Sequence, residues 1–322
     1  MRYRLSTRAP FDLEATVRVL QRRPVSRVDL WEDNRYLRVL PTTESHVLIE
    51  VRDFGTIDEP NLRFGFRAGT ATASSIPQLK RTLQRVLGLD VDPEPLRRVA
   101  ESEPVLRPVA VALRGLRPPR FVNLFEAFAR VVPFQQLSLE AGVAIVARLV
   151  ERFGEPLQHE ERRFLAFPTA QAIASANLAA LRACGLSSTK AETLRYVARA
   201  IDSGELVEER IAGMPTRDAL ATLIELPGIG PWSAALVLLR GFGRLEIFPP
   251  NDVGAVRGLS ALLGVRPGTA LTRVIERFGD LRGYLYFLGL GYSLLRKGLI
   301  HNRSSAARGY AVGPGVEPLS ES

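Results

Sequence analysis

The chain has 322 residues, 46% of them hydrophobic and 24% charged, with a formal net charge of +9. That length supports two or three domains around a sizeable core, and the composition excludes a low-complexity or fibrous chain. The surplus of positive charge, with a pI near 10.2, favours a polyanionic partner. Lysine is confined to Lys80, Lys190 and Lys297, so nearly all of the basic charge is arginine. The guanidinium fork suits bidentate phosphate contacts. A GC-rich genome gives the same ratio, however, so charge alone does not establish nucleic-acid binding.

The single cysteine, Cys184, excludes an internal disulfide and a four-cysteine iron–sulfur cluster. His46, His159 and His301 lack any zinc-ligand spacing, so neither metal nor cofactor is expected. The opening MRYRLSTRAPF has no signal-peptide core, and no apolar run reaches spanning length. The expectation is a cytoplasmic, monomeric protein without membrane contact.

Along the chain, Asp12 is placed to cap a helix ending before Pro24, with Leu13, Val17 and Leu20 on one face. Four strand-like runs follow: Arg27 to Trp31, Tyr36 to Leu40, Val47 to Arg52 and Leu62 to Arg67. Their alternation is that of half-buried antiparallel strands. Pro77 opens a second helix through Val86, stopped at Gly88. Residues 1–106 thus read as a small α+β domain. A Pro-rich junction carries Asp92-Pro93-Glu94-Pro95 and then Arg114, Arg117 and Arg120. Those arginines either touch phosphate or solvate a linker.

From Phe121 the pattern turns helical. Asn123 caps a predicted helix through Val132, broken at Pro133, and Ser138 caps a long one through Phe153. The second has Leu139, Val143, Val146, Ala147 and Val150 on one face. Between them lies Phe134-Gln135-Gln136-Leu137-Ser138. Phe167-Pro168-Thr169 opens a helix through Leu181, and another spans Ala191 to Ile201. Just before it, Lys190 either reaches a phosphate or solvates a helix face. Helices through Leu263 and from Thr269 to Phe278 close the chain, with an apolar stretch from Leu281 to Leu295. Residues 307–322 are small and polar and read as a frayed tail.

The organising stretch is Thr216 to Leu259. Thr216 is a candidate N-cap with Asp218 in the first turn. The helix must stop at Leu226, because Pro227 disfavours α geometry in the residue before it. Gly228 and Gly230 flank Ile229 and let the backbone turn with positive φ. Pro231 suits the first position of a second, buried helix. The amides of such a hairpin, together with the helix dipole, form a site for a phosphate. An αα-hairpin that only links two core helices has the same pattern. Asp252 lies twenty-two residues after Gly230, beyond a Pro249-Pro250 break.

Leu226-Pro227-Gly228-Ile229-Gly230, a helix, a Pro-rich link and then one aspartate resemble the helix-hairpin-helix DNA glycosylases. The F-P-T and G-L-x-x-x-K-A elements and the early P-x-D at Pro10 to Asp12 resemble their 3-methyladenine glycosylase II branch. The resemblance implies a mainly α fold, a helical glycosylase core over residues 107–306 preceded by the α+β domain with its antiparallel sheet. It implies damaged double-stranded DNA as partner and base excision by a flipped-base mechanism.

In this family the catalytic aspartate falls on Asp252, which can equally cap the following helix. Members that also cut the strand carry a lysine where this chain has Trp232, so the resemblance implies a glycosylase without lyase activity. Trp232 is either a wall of the base pocket or core packing. The family's wedge loop corresponds to Gln135, Gln136, Leu137 and Ser138. Gly228, Ile229, Gly230, Trp232 and Ser233 form the DNA-facing hairpin, whose carbonyls leave room for a monovalent cation. Tyr284, with Tyr286 and Phe287 as weaker candidates, joins Trp232 in the pocket. Where the branch places further aromatics, this chain has Leu236 and the Gly289-Leu290-Gly291 run.

A positively charged alkylated purine is a good leaving group, and one carboxylate suffices to stabilise the sugar cation left behind. Three functions therefore stand: a glycosylase for alkylated purines, one for deaminated or oxidised bases, and a non-catalytic lesion-binding hairpin protein.

Overall fold

The structure is a computed structural model that describes residues 2–43, 45–102, 104–265 and 268–301. The elements run β1 (Arg2–Arg4), α1 (Leu13–Gln21), β2 (Leu30–Glu32), β3 (Arg35–Pro41), β4 (His46–Asp53), β5 (Leu62–Gly69) and α2 (Ser75–Val86). The five strands form one antiparallel sheet in the order β1-β5-β4-β3-β2. Three of the four predicted strands lie within about a residue or two of their expected bounds. The first is shorter than expected, because only Leu30–Glu32 pairs with β3. Arg2–Arg4 adds an edge strand that three polar-alternating residues do not signal.

Alternation decides which face each strand buries. Tyr36, Leu40, Val47, Ile49 and Val51 face the main core with Val17 and Leu20 of α1, which Asp12 caps by accepting from the Ala15 amide at 2.9 Å. Leu37, Val39 and Leu48 face the other way, onto Phe164 and Ala166.

Those last two residues belong to the helical part, which continues α3 (Pro93–Ser102), α4 (Arg107–Ala112), α5 (Leu124–Ala129), α6 (Leu139–Phe153), β6 (Pro156–His159) and β7 (Arg162–Leu165). It ends with α7 (Ala170–Ala174), α8 (Leu178–Ala183), α9 (Ser188–Asp202), α10 (Glu208–Gly213), α11 (Thr216–Ile224), α12 (Pro231–Val237), α13 (Val253–Leu263), α14 (Thr269–Arg277) and α15 (Arg282–Arg296). The junction expected to be a linker holds α3 and α4, because Pro93 and Pro108 sit at helix starts, where proline is tolerated. The helix expected through Leu181 is two, since Asn177 caps α8 afresh by accepting from the Ala180 amide at 2.7 Å. The helix after Asn123 ends at Ala129, and a 3-10 turn at Val132–Phe134 follows. The expected tail, residues 307–322, lies outside the described residues.

One core joins the two parts. It runs from Leu5 to Ile300, with α15 packed on α1 and on α13. Among the described residues, no helix is long and apolar enough to cross a membrane.

A buried ionic network fixes the angle between sheet and helices. Arg38 on β3 donates to Asp29 at 2.7 Å and to Glu126 on α5 at 2.5 Å. Arg130 returns to Asp29 at 2.6 Å and to Glu126 at 2.8 Å, and the Tyr36 hydroxyl donates to Asp29 at 2.7 Å. Burial alone would raise the Asp29 pKa, but Arg38 and Arg130 outweigh it and hold the carboxyl down to about 2. Its contribution to stability is therefore present above the ordinary carboxyl range and lost as pH falls through about 2.

Removing one partner leaves the other charges buried and uncompensated. Asp29→Asn is expected to cost about 3–5 kcal/mol in urea unfolding at neutral pH. A loss below about 1 kcal/mol would place these charges in far more polar surroundings than the structure shows.

Candidate active site at the glycine hairpin

α11 starts at Thr216 itself, behind Pro215, so Thr216 is the first helical residue and not the cap. Its hydroxyl instead hydrogen-bonds Glu246. Gly228 turns the chain with φ +77, and a Cβ there would overlap the Thr193 hydroxyl of α9. Gly230 differs from expectation. Its backbone is extended (φ −91°, ψ 177°), so it uses no positive φ, and open space lies where its Cβ would be. Pro231 opens α12 as expected. The Ile229 side chain is buried in the core, and its amide donates to the Leu226 carbonyl at 3.0 Å. After Val237 the helix widens into a π turn over Leu238–Phe242.

Asp252 serves as N-cap of α13. Its Oδ1 accepts from the Ala255 amide at 2.8 Å, and its Oδ2 accepts from Trp232 Nε1 at 3.0 Å. The two residues set twenty positions apart are thus direct partners. A carboxylate has roughly four lone-pair positions, so two donors leave capacity for a reacting group. Both side chains are half-buried. Asn251, just before, takes φ +58, which asparagine tolerates better than most residues. That turn aims Asp252 at Trp232. The Asn-Asp pair after two prolines was the available signal for it.

The second loop leans on the hairpin. Gln135 Nε2 donates to the Gly228 carbonyl at 2.8 Å and to Ser233 Oγ at 2.9 Å. Gln135 and the buried Ser233 therefore bind each other rather than facing outward. Lys190 Nζ donates to the Pro133 carbonyl at 3.2 Å and the Gln135 carbonyl at 2.5 Å, so it neither reaches for phosphate nor solvates a helix. Ser138 caps α6 through the Ala141 amide at 3.2 Å. What remains at the loop's tip is Gln136, strained at φ +54, and Leu137, 44% exposed.

The aromatic candidates separate. Tyr284 is buried beside Arg117 in a different cavity, which does not include Trp232 or Asp252. The Tyr286 hydroxyl accepts from Arg22, and Phe287 lies under the buried Arg240 at 5.8 Å. Leu236 is buried in the core. Leu290 is half-buried on α15, next to Gly289, where α13 and α15 meet: a Cβ on Gly258 would lie 3.5 Å from the Gly289 carbonyl. Two of the three junction arginines are also engaged, and the third is turned inward. Arg114 pairs with Asp58, Arg120 pairs with Asp90, and Arg117 is buried.

Residues 129–278 match the HhH-GPD superfamily base excision DNA repair protein family, and residues 2–123 match the AlkA N-terminal domain. The chain is 30% identical over 251 residues to DNA-3-methyladenine glycosylase 2 of Escherichia coli, covering 78% of this chain and 84% of that protein. The chain belongs to the HhH-GPD superfamily. Within this superfamily it is also 31% identical over 188 residues to the DNA-3-methyladenine glycosylase of Bacillus subtilis, covering 58% of this chain and 62% of the relative. Its fold superposes on the 3-methyladenine DNA-glycosylase from Archaeoglobus fulgidus with a TM-score of 0.75 at 26% identity, over 92% of this chain and 98% of that one. The HhH-GPD helices and the α+β domain before them are thus the architecture expected from the resemblance.

Proposed function

We propose that this chain is a monofunctional glycosylase of base excision repair that excises alkylated purines, of the 3-methyladenine and 7-methylguanine type, from duplex DNA. The observation that carries this is the Asp252 carboxylate, held by the Ala255 amide and the Trp232 indole beside a glycine hairpin. The relatives named 3-methyladenine glycosylases supply the substrate class.

The chemistry follows from the site. As the N-glycosidic bond breaks, its electron pair leaves with the base, neutralising the positive charge of the alkylated purine. The sugar carbon gains oxocarbenium character, which the fixed carboxylate of Asp252 stabilises. Water then adds to that carbon and loses a proton, leaving an abasic site. No amine stands at position 232, so no Schiff base forms there and the strand stays intact. The Gly228 and Gly230 amides receive a backbone phosphate, while the Ile229 amide is held by the Leu226 carbonyl at 3.0 Å. Gln136 and Leu137 enter the duplex where the base has left, while Gln135 and Lys190 anchor the loop. No cofactor is needed, and the enzyme acts as a monomer in the cytoplasm.

Leu290, half-buried where the branch places an aromatic, favours one second function: excision of deaminated or oxidised bases, which carry no positive charge for an aromatic face to hold.

A duplex panel separates the two. Methylated DNA is expected to release 3-methyladenine and 7-methylguanine, with strand breaks only after hot alkali. Faster release from hypoxanthine or 8-oxoguanine duplexes would select the second function, and breaks without alkali would contradict the role of Trp232. Leu137→Ala is expected to weaken binding to abasic-site DNA by about tenfold, from about 1–2 kcal/mol of lost apolar contact. Unchanged affinity would remove Leu137 from the wedge.

A further inference from the structure

The cavity that holds Tyr284 is a second built site. Its volume is about 230 Å³, against the ~10–15 Å³ that one water needs on the same measure. Pro10, Leu96, Val111, Leu113 and Leu116 give it apolar walls between α3, α4 and α15. Arg117 lines it as well, although its side chain is only about 2% exposed over the whole residue.

This arginine is under-partnered for so buried a charge. Its Nη2 donates to the Arg8 carbonyl at 2.9 Å, its Cζ lies 6.0 Å from the Phe11 ring centre, and its Nε has no partner. Among the described residues no carboxylate lies within ion-pair distance of it; Asp92, itself paired with Arg8, acts on it from farther away. The other wall arginines are engaged: Arg97 by Glu94 and by Glu101, a carboxylate of the same wall, Arg114 by Asp58, and Arg107 by the Glu101 carbonyl. Desolvation pushes the Arg117 pKa down to about 10, and burial pushes the Tyr284 phenol up to about 12. At neutral pH the cavity therefore presents a buried cation and a neutral hydroxyl. Buried charges are ordinarily paired, because an uncompensated one is costly.

We propose that this cavity binds a small monocarboxylate with a short apolar tail, its head on Arg117 and Tyr284 and its tail among Leu96, Leu113 and Leu116. The cation calls for an anionic head, and a guanidinium donates to a carboxylate in parallel fashion. One cation and one hydroxyl match a single negative charge. The apolar walls and a volume at the small end of ligand pockets call for a tail of a few carbons. The site is distinct from the Asp252 cleft and does not depend on the proposed base excision.

Isothermal titration calorimetry of the full chain with hexanoate, hexanol and hexylammonium tests this. Saturable one-to-one binding of hexanoate is expected, at least tenfold tighter than hexanol, with none for hexylammonium. Arg117→Met should weaken hexanoate at least tenfold, and Ala110→Trp, which fills the cavity while leaving the cation in place, should abolish it. Thermal unfolding confirms that each variant is folded, and Ala110→Trp decides the matter if Arg117→Met is not. No saturable binding by the wild type, equal binding of hexanol and hexanoate, or unchanged hexanoate binding by folded Ala110→Trp would each overturn the assignment.

Discussion

The site depends on a single carboxylate with two jobs. Asp252 must satisfy a helix N-terminus and still present a charged oxygen to the cleft, and it does so by dividing its oxygens between the Ala255 amide and the Trp232 indole. Capping fixes its position relative to α13. The indole fixes its rotation, because a second donor on the other oxygen leaves the group little freedom. α13 is itself located by its contact with α15, backbone against backbone at Gly258 and Gly289.

The surface proposed to face DNA is likewise a composite. The hairpin and the Gln135–Ser138 loop come from segments nearly a hundred residues apart, yet Gln135 and Lys190 tie them into one body. The loop hangs from α5, and α5 is locked to the sheet by the Arg38, Asp29, Glu126 and Arg130 network. A polar network of this kind adds little net stability compared with apolar packing, but it tolerates one geometry only. Through this network the amino-terminal domain bears on the orientation of the loop.

Local signals were legible in the sequence and distant ones were not. Asp12, Asn123, Ser138 and Thr169 all cap as their spacing indicates, because a cap needs only a side chain three residues from an amide. The hairpin, Trp232 and Asp252 were legible for the same reason, lying within one short motif. The β6–β7 hairpin was not, since it is stabilised by covering the far face of a sheet formed more than a hundred residues earlier. The partners of Lys190, Gln135 and Arg117 also lie far along the chain, 55 to 109 positions away. Charge suggested outward-facing contacts for Lys190 and Arg117, and the resemblance suggested them for Gln135, whereas the fold turns each of these groups inward. Tyr284 and Leu290 share α15, and only the packing of that helix shows that the first faces a separate cavity.

The most direct measurement is single-turnover base release from methylated duplex DNA by the wild type beside Asp252→Asn, with binding to abasic-site DNA measured in parallel. The asparagine keeps a side-chain oxygen to cap α13 but carries no charge for the sugar cation. The account predicts that release falls by at least a thousandfold, on the order of 4 kcal/mol of transition-state stabilisation, while DNA binding stays within a few-fold. Release by the variant at near wild-type rate would contradict it.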